Sequence, residues 1–96
     1  MRQFRNLKIA SLIEHELTKL ILKEIEIMGV LITILGVEVS DDLLQAKVKV
    51  SVIPHEKELE VYEELQKKRK EFQHMILKKS KMKFVPTLEF LIESKV

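Results

Sequence analysis

Residues 32–52, reading ITILGVEVSDDLLQAKVKVSV, set two alternating segments on either side of a polar turn, and no other stretch of the chain constrains its fold as strongly. In the second arm Ala46, Val48, Val50 and Val52 share one face while Lys47, Lys49 and Ser51 share the other, the period of two that a half-buried strand requires. Ser40, Asp41 and Asp42 between the arms carry short polar side chains that bond nearby backbone, so the segment reads as a β-hairpin. The first arm, from Val30 to Val39, is rich in the β-branched residues that suit a pleated surface. Strict alternation would separate Ile32 and Ile34 from Val37 and Val39. A bulge at Gly36 brings all four onto one face, and this is the preferred reading because glycine inside a strand often marks one.

Helical periodicity surrounds the hairpin. From Phe4 to about Ile27 the residues Ile9, Leu12, Ile13, Leu17, Leu20 and Ile21 recur at steps of three and four, an amphipathic helix that Met28 and Gly29 end. Pro54 stops the second arm, and from Glu56 to Lys79 a second helix follows through Leu59, Tyr62, Leu65, Phe72 and Ile76. Its stripe fails between Leu65 and Phe72, so the helix either kinks there or turns that face to solvent. Beyond it Met82, Phe84, Leu88, Phe90 and Ile92 alternate with Lys81, Lys83, Thr87, Glu89 and Glu93, which predicts a closing strand with Pro86 in an inward phase at an edge or irregularity. The crossover of about twenty-seven residues is long enough for a parallel pairing. The expected class is α+β, in the order α-β-β-α(kinked)-β, with one three-stranded sheet and its helices on one face. Residues 1–96 form a single domain on this reading.

Composition excludes several functions. With 46% hydrophobic and 33% charged residues the chain is of the globular class. It has neither a membrane-length apolar run nor a signal-peptide pattern, and a cytoplasmic location is expected. The absence of cysteine removes disulfides, thiolate metal sites and a cysteine nucleophile. His15, His55 and His74 are far apart and lack metal-ligand spacing, and they are expected at exposed positions on helices or a turn. Asp41 and Asp42 are expected to shape the turn and not to act as paired acid and base. There is no phosphate loop, nucleophile elbow or dinucleotide fingerprint. No catalytic residue, metal ligand, cofactor or small-molecule substrate is assigned.

The net charge of +2 hides a separation. Between Lys67 and Lys83 the basic residues Lys67, Lys68, Arg69, Lys70, Lys78, Lys79, Lys81 and Lys83 face Glu71 alone, a local charge of +7 that leaves −5 for the rest. Such a block can neutralise phosphates and release their counterions. It can also be a solvated face that complements the helix macrodipole and pairs Glu63 with Lys67 and Glu64 with Lys68. Arg2, Arg5 and Lys8 extend the basic surface if the first helix begins beside it, and equally fit a solubilising end. Tyr62, Phe72, Phe84 and Phe90 fall in apolar stripes, where core packing is the expected role, so any nucleic-acid recognition would lean on phosphate contacts and shape.

Val37, Val39, Ser40, Asp42, Leu43, Ala46, Lys47, Val48 and Ser51, with the closing run from Lys83 to Phe90 (KFVPTLEF), resemble the ribosome-binding factor A family. The likeness spans nearly the whole chain, from Arg5, Lys8, Ile9 and Leu12 onward. It implies a KH-like fold of the second type and association with the free small (30S) ribosomal subunit. It also implies contact with 16S rRNA, late subunit maturation with rRNA 5′-end processing, and growth in the cold. RNA-binding residues would be Lys67, Lys68, Arg69, Lys70, Lys78, Lys79, Lys81, Lys83, Arg5 and Lys8, in a monomer that needs no membrane. The family marks its helix-kink-helix with an Ala, any residue, Gly motif, which would fall near Lys68, Arg69 and Lys70, and the small residues are missing here. A flexible tail after the last strand is also typical of the family, and with the sequence ending at Val96 its function is expected to be absent or displaced. Two rivals are a protein-interaction module, pairing through the sheet edge or an uncovered sheet face around Ile32 and Ile34, and a KH-like protein acting on another RNA.

Overall fold

A computed structural model describes residues 2–94, with side chains from Arg5 onward. The side chains of Arg2 and Phe4 lie outside the described residues. In chain order the elements are α1 (Arg2–Glu24), β1 (Leu31–Val39), β2 (Gln45–Ile53), a single 3-10 turn (His55–Lys57), α2 (Glu58–Lys79) and β3 (Thr87–Ile92). The strands form one sheet in the order β1-β2-β3, antiparallel between β1 and β2 and parallel between β2 and β3. This is the α+β, KH-like order expected from the sequence, parallel crossover included.

The hairpin register explains the first arm. Ile34 pairs with Val50 and Gly36 with Lys49, leaving Leu35 as the extra residue of a bulge. Beyond it Val37 pairs with Val48 and Val39 with Ala46, so Ile32, Ile34, Val37 and Val39 share the helix-covered face with Val50 and Val52. All four pack against the core. The sheet face around Ile32 and Ile34 is therefore covered by helix, contrary to the interaction-module expectation. The uncovered face is mixed: Thr33, Glu38, Lys47, Lys49, Thr87 and Glu89 give it charge and polarity, while the paired Leu31 and Ile53 stand exposed at one end.

Each helix buries one stripe on that sheet. From α1 come Ile13, Leu17, Leu20 and Ile21, and from α2 come Val61, Leu65, Phe72 and Ile76, all closed from solvent together with Ala46, Val48, Val50, Leu88 and Phe90. In α2 the true phase runs through Val61, whereas the expected Leu59 is 69% exposed and Tyr62 also reaches solvent. Two residues along a helix is about 200° of rotation, so Leu59 and Val61 cannot share a face. The first helix ends at Glu24, three residues before the expected stop, and Gly29 turns the chain with φ of +70°.

Two further expectations change. The second helix is continuous from Glu58 to Lys79, with no break at Lys68, Arg69 or Lys70. The closing strand begins only at Thr87, because Ser80 leaves the helix in extended backbone and Pro86, which lacks an N–H, restricts the residue before it. Segment 80–86 is irregular. Pro86 is buried as its phase predicts, but Phe84 is 50% exposed and is not part of the core.

Candidate nucleic-acid interface

Two ends of the sheet differ in charge because of how the chain is threaded. The N-terminal part of α1 is tied to the hairpin turn by Asn6, whose Nδ2 donates to the carbonyl oxygens of Val39 and Ser40 at 3.3 Å. Segment 80–86 reaches the same end, where the N–H of Thr87 donates to the Leu44 carbonyl at 2.9 Å. Arg5 and Lys8 therefore flank the turn from the β1 side, and Lys78, Lys79, Lys81 and Lys83 from the β3 side. The opposite end holds Glu24, Glu26, Glu60, Glu63 and Glu64, which line a shallow cleft with Lys23 and Lys68.

The turn itself is fixed by local hydrogen bonds. Ser40 Oγ donates to Asp42 Oδ1 at 2.6 Å, and the same carboxylate accepts the Leu44 N–H at 3.0 Å. These two bonds hold the exposed Asp42 carboxyl below the ordinary aspartate range, the serine bond being the larger cause. Leu43 takes the left-handed backbone, φ 65°, that completes the loop. Asp42 thus shapes the turn, as expected. On the open face Lys49 Nζ donates to Glu38 Oε1 at 2.8 Å, which lowers the Glu38 carboxyl and raises the Lys49 ammonium through that same bond.

The sequence grouped the basic residues as one block, and the structure divides them. Lys68 lies three residues after Leu65 and four before Phe72, on the core-facing phase of α2. Its stem therefore covers the core and its Nζ lies 4.0 Å from Glu24 Oε1 at the end of α1. Arg69, also half-buried, donates through Nη1 to Gln73 Oε1 at 3.5 Å, and that oxygen accepts the N–H of Leu88 on β3 at 3.0 Å. Lys67 is exposed but lies 4.0 Å from Glu64, an i, i+3 contact that replaces the expected i, i+4 pairs. Lys70 points to solvent. Among the described residues Arg5, Lys8, Lys70, Lys78, Lys79, Lys81 and Lys83 are exposed with no carboxylate within 4.0 Å. Eleven residues of helix, about 16 Å, separate Lys68 from Lys79.

Chemically, the hairpin end offers cations free to exchange counterions for phosphates, two of them in the last turn of α2 where the macrodipole favours them. Phe84 sits beside them, and nothing in the alternation of the sequence distinguished it from a core residue. Asn6, Glu24 and Gln73 were also missed, since each acts across elements. His15, His55 and His74 are all exposed, and among the described residues no group of three or more acidic or histidine side chains could hold a metal. No described helix is long and apolar enough to cross a membrane.

A family profile described as ribosome-binding factor A matches residues 5–96. A protein of that name from Chloroherpeton thalassium is 37% identical over 89 residues, covering 90% of this chain and 71% of its own length. Another from Coxiella burnetii is 31% identical over 93 residues, covering 96% and 78%. The crystal structure of ribosome-binding factor A from Thermus thermophilus superposes with a TM-score of 0.74 over 91% of this chain and 94% of that one, at 20% identity. That last likeness speaks for the fold.

Proposed function

The chain belongs to the ribosome-binding factor A family, and we propose that it is a non-enzymatic assembly factor that binds the free small (30S) ribosomal subunit through its 16S rRNA. It acts late in maturation, supports processing of the rRNA 5′ end and matters most in the cold. It works in the cytoplasm as a single-domain monomer without a cofactor. The observation that carries the reading is the unpaired basic end formed by Lys78, Lys79, Lys81 and Lys83 with Arg5 and Lys8 across the hairpin turn. Lys67 and Lys70 extend the contact along α2. Lys68 serves it indirectly, by pairing with Glu24 of α1, and Arg69 by bonding Gln73, the side chain that ties α2 to β3.

No step of bond chemistry is required. A factor that binds one rRNA conformation more tightly than another shifts their populations by the ratio of the two affinities. Helices form less readily rearranged structures at low temperature, where such a bias has the greatest effect on the rate of maturation. The acidic cleft at the opposite end repels phosphate and so orients the protein on the RNA.

The test is co-sedimentation of the purified protein with free small subunits, large subunits and assembled ribosomes. Preference for free small subunits is the expected result. Equal binding to all three, or to unrelated RNAs, would point to a general RNA-binding protein.

One observation favours a second reading, an interaction module at the sheet edge. The exposed Leu59 and Tyr62 of α2 line a shallow apolar groove with Phe90, Leu91 and Ile92 of the edge strand β3. A concentration-dependent dimer with no salt-dependent RNA affinity would be its signature.

A further inference from the structure

We propose that Phe84 is a base-stacking residue, which makes segment 80–86 a site for an unpaired stretch of RNA. The proposal rests on the RNA-binding reading above and adds to it a contact that charge alone does not supply.

Phe72 and Phe90 are closed from solvent, as aromatic rings in a small domain usually are. Phe84 is 50% exposed, although its place in the alternation beside Leu88 and Phe90 would have put it in the core. Half of its surface is open to solvent and free to meet a base. Its neighbours in sequence are Lys81 and Lys83, exposed and without a carboxylate within 4.0 Å among the described residues, with Lys78 and Lys79 one turn earlier.

The backbone beside the ring is also held. Val85 packs against the core and Pro86 is buried, so the two residues after Phe84 are anchored. The N–H of Thr87 bonds the Leu44 carbonyl, and the N–H of Met82 bonds Ser80 Oγ at 3.4 Å. A ring displayed from a held segment loses less freedom on binding than one on a loose tail.

Aromatic faces next to backbone-tracking cations are how proteins hold single-stranded nucleic acid, since every base has a face to stack and phenyl needs no base edge. Bases within an A-form duplex present no free face. The site therefore selects unpaired from paired RNA, without selecting sequence.

The chain contains no tryptophan, so Phe84→Trp introduces the only indole of the protein. The probes are a mixed-sequence single-stranded RNA of about ten nucleotides and the blunt duplex of the same sequence, a length within the usual site size for single strands. Phe84→Leu is expected to weaken single-strand binding by about tenfold, leaving duplex binding and the salt dependence unchanged. Phe84→Trp is expected to restore affinity, with indole fluorescence quenched by the single strand and not by the duplex. Wild-type affinity in Phe84→Leu, or equal losses on both probes, would overturn the proposal. So would an indole whose fluorescence is indifferent to saturating single strand. If the wild type bound neither probe nor small subunits, the RNA reading itself would fail, a result distinct from loss at Phe84 alone.

Discussion

Lys68 Nζ on α2 lies 4.0 Å from Glu24 Oε1 at the end of α1, and each side chain is only about a quarter exposed. This contact joins the two helices at a point where the apolar stripe of α2 is interrupted, and it removes one cation from the surface. At that distance and exposure the pair is worth no more than about 1 kcal/mol. A double-mutant cycle of Lys68→Ser with Glu24→Gln, read by urea unfolding, should give a coupling of that size. Lys68→Ser alone should leave the salt dependence of RNA binding as it is in the wild type.

Gln73 carries a comparable role for the edge strand, through the 3.0 Å bond from the Leu88 N–H. Gln73→Ala should lower stability by about 1 kcal/mol, the net worth of one such bond. Amide hydrogen exchange should speed up at Leu88 more than at neighbouring β3 positions. Uniform acceleration across the strand would mean that Gln73 acts on the whole sheet.

The two glycines should respond oppositely to alanine. Gly29 has φ of +70°, a conformation that costs an L-residue about 1 kcal/mol, and Gly29→Ala should lose about that much. At Gly36 an added Cβ meets nothing within 4 Å and φ is not in the left-handed range. Gly36→Ala should be neutral or gain up to about 1 kcal/mol by restricting the unfolded chain. Thermal or urea unfolding of both variants checks the pair.

Acid should loosen the hairpin turn through Asp42. Its folded-state pKa is lowered by the bonds from Ser40 and Leu44, so its contribution is complete above the unfolded value and fades as pH falls through the folded one. An NMR titration of the Asp42 carboxyl should show it below the ordinary aspartate range in the wild type. In Ser40→Ala it should rise towards that range.

The sheet was legible because its signals are local. Alternation in β2 and four β-branched or aliphatic residues around Gly36 were enough to place the bulge, which the register puts at Leu35. The stripe of α1 was equally plain. Where reading failed, two phases competed or a distant residue decided. Leu59 and Tyr62 fit a spacing as well as Val61 did, and only the approach of the sheet chooses Val61. Phe84 continued the alternation of β3, but Pro86 and the exit of α2 at Ser80 keep segment 80–86 out of the strand. The basic block was visible as composition. Its division was half legible: the spacing of Lys68 to Leu65 and Phe72 sets its inward phase, but the partner Glu24 lies on another helix, which no spacing encodes.

The most direct measurement compares two variants across a salt series, in binding to free small subunits. One replaces Lys78, Lys79, Lys81 and Lys83 with Ser, and the other replaces Lys67, Lys68, Arg69 and Lys70. Each lost phosphate contact lowers the slope of log affinity against log salt by about 0.7 to 0.9. The hairpin-end variant should lose both affinity and slope, and the mid-helix variant should lose less of each because Lys68 and Arg69 face inward. Unchanged affinity and slope in the hairpin-end variant would contradict an interface built on that end of the sheet.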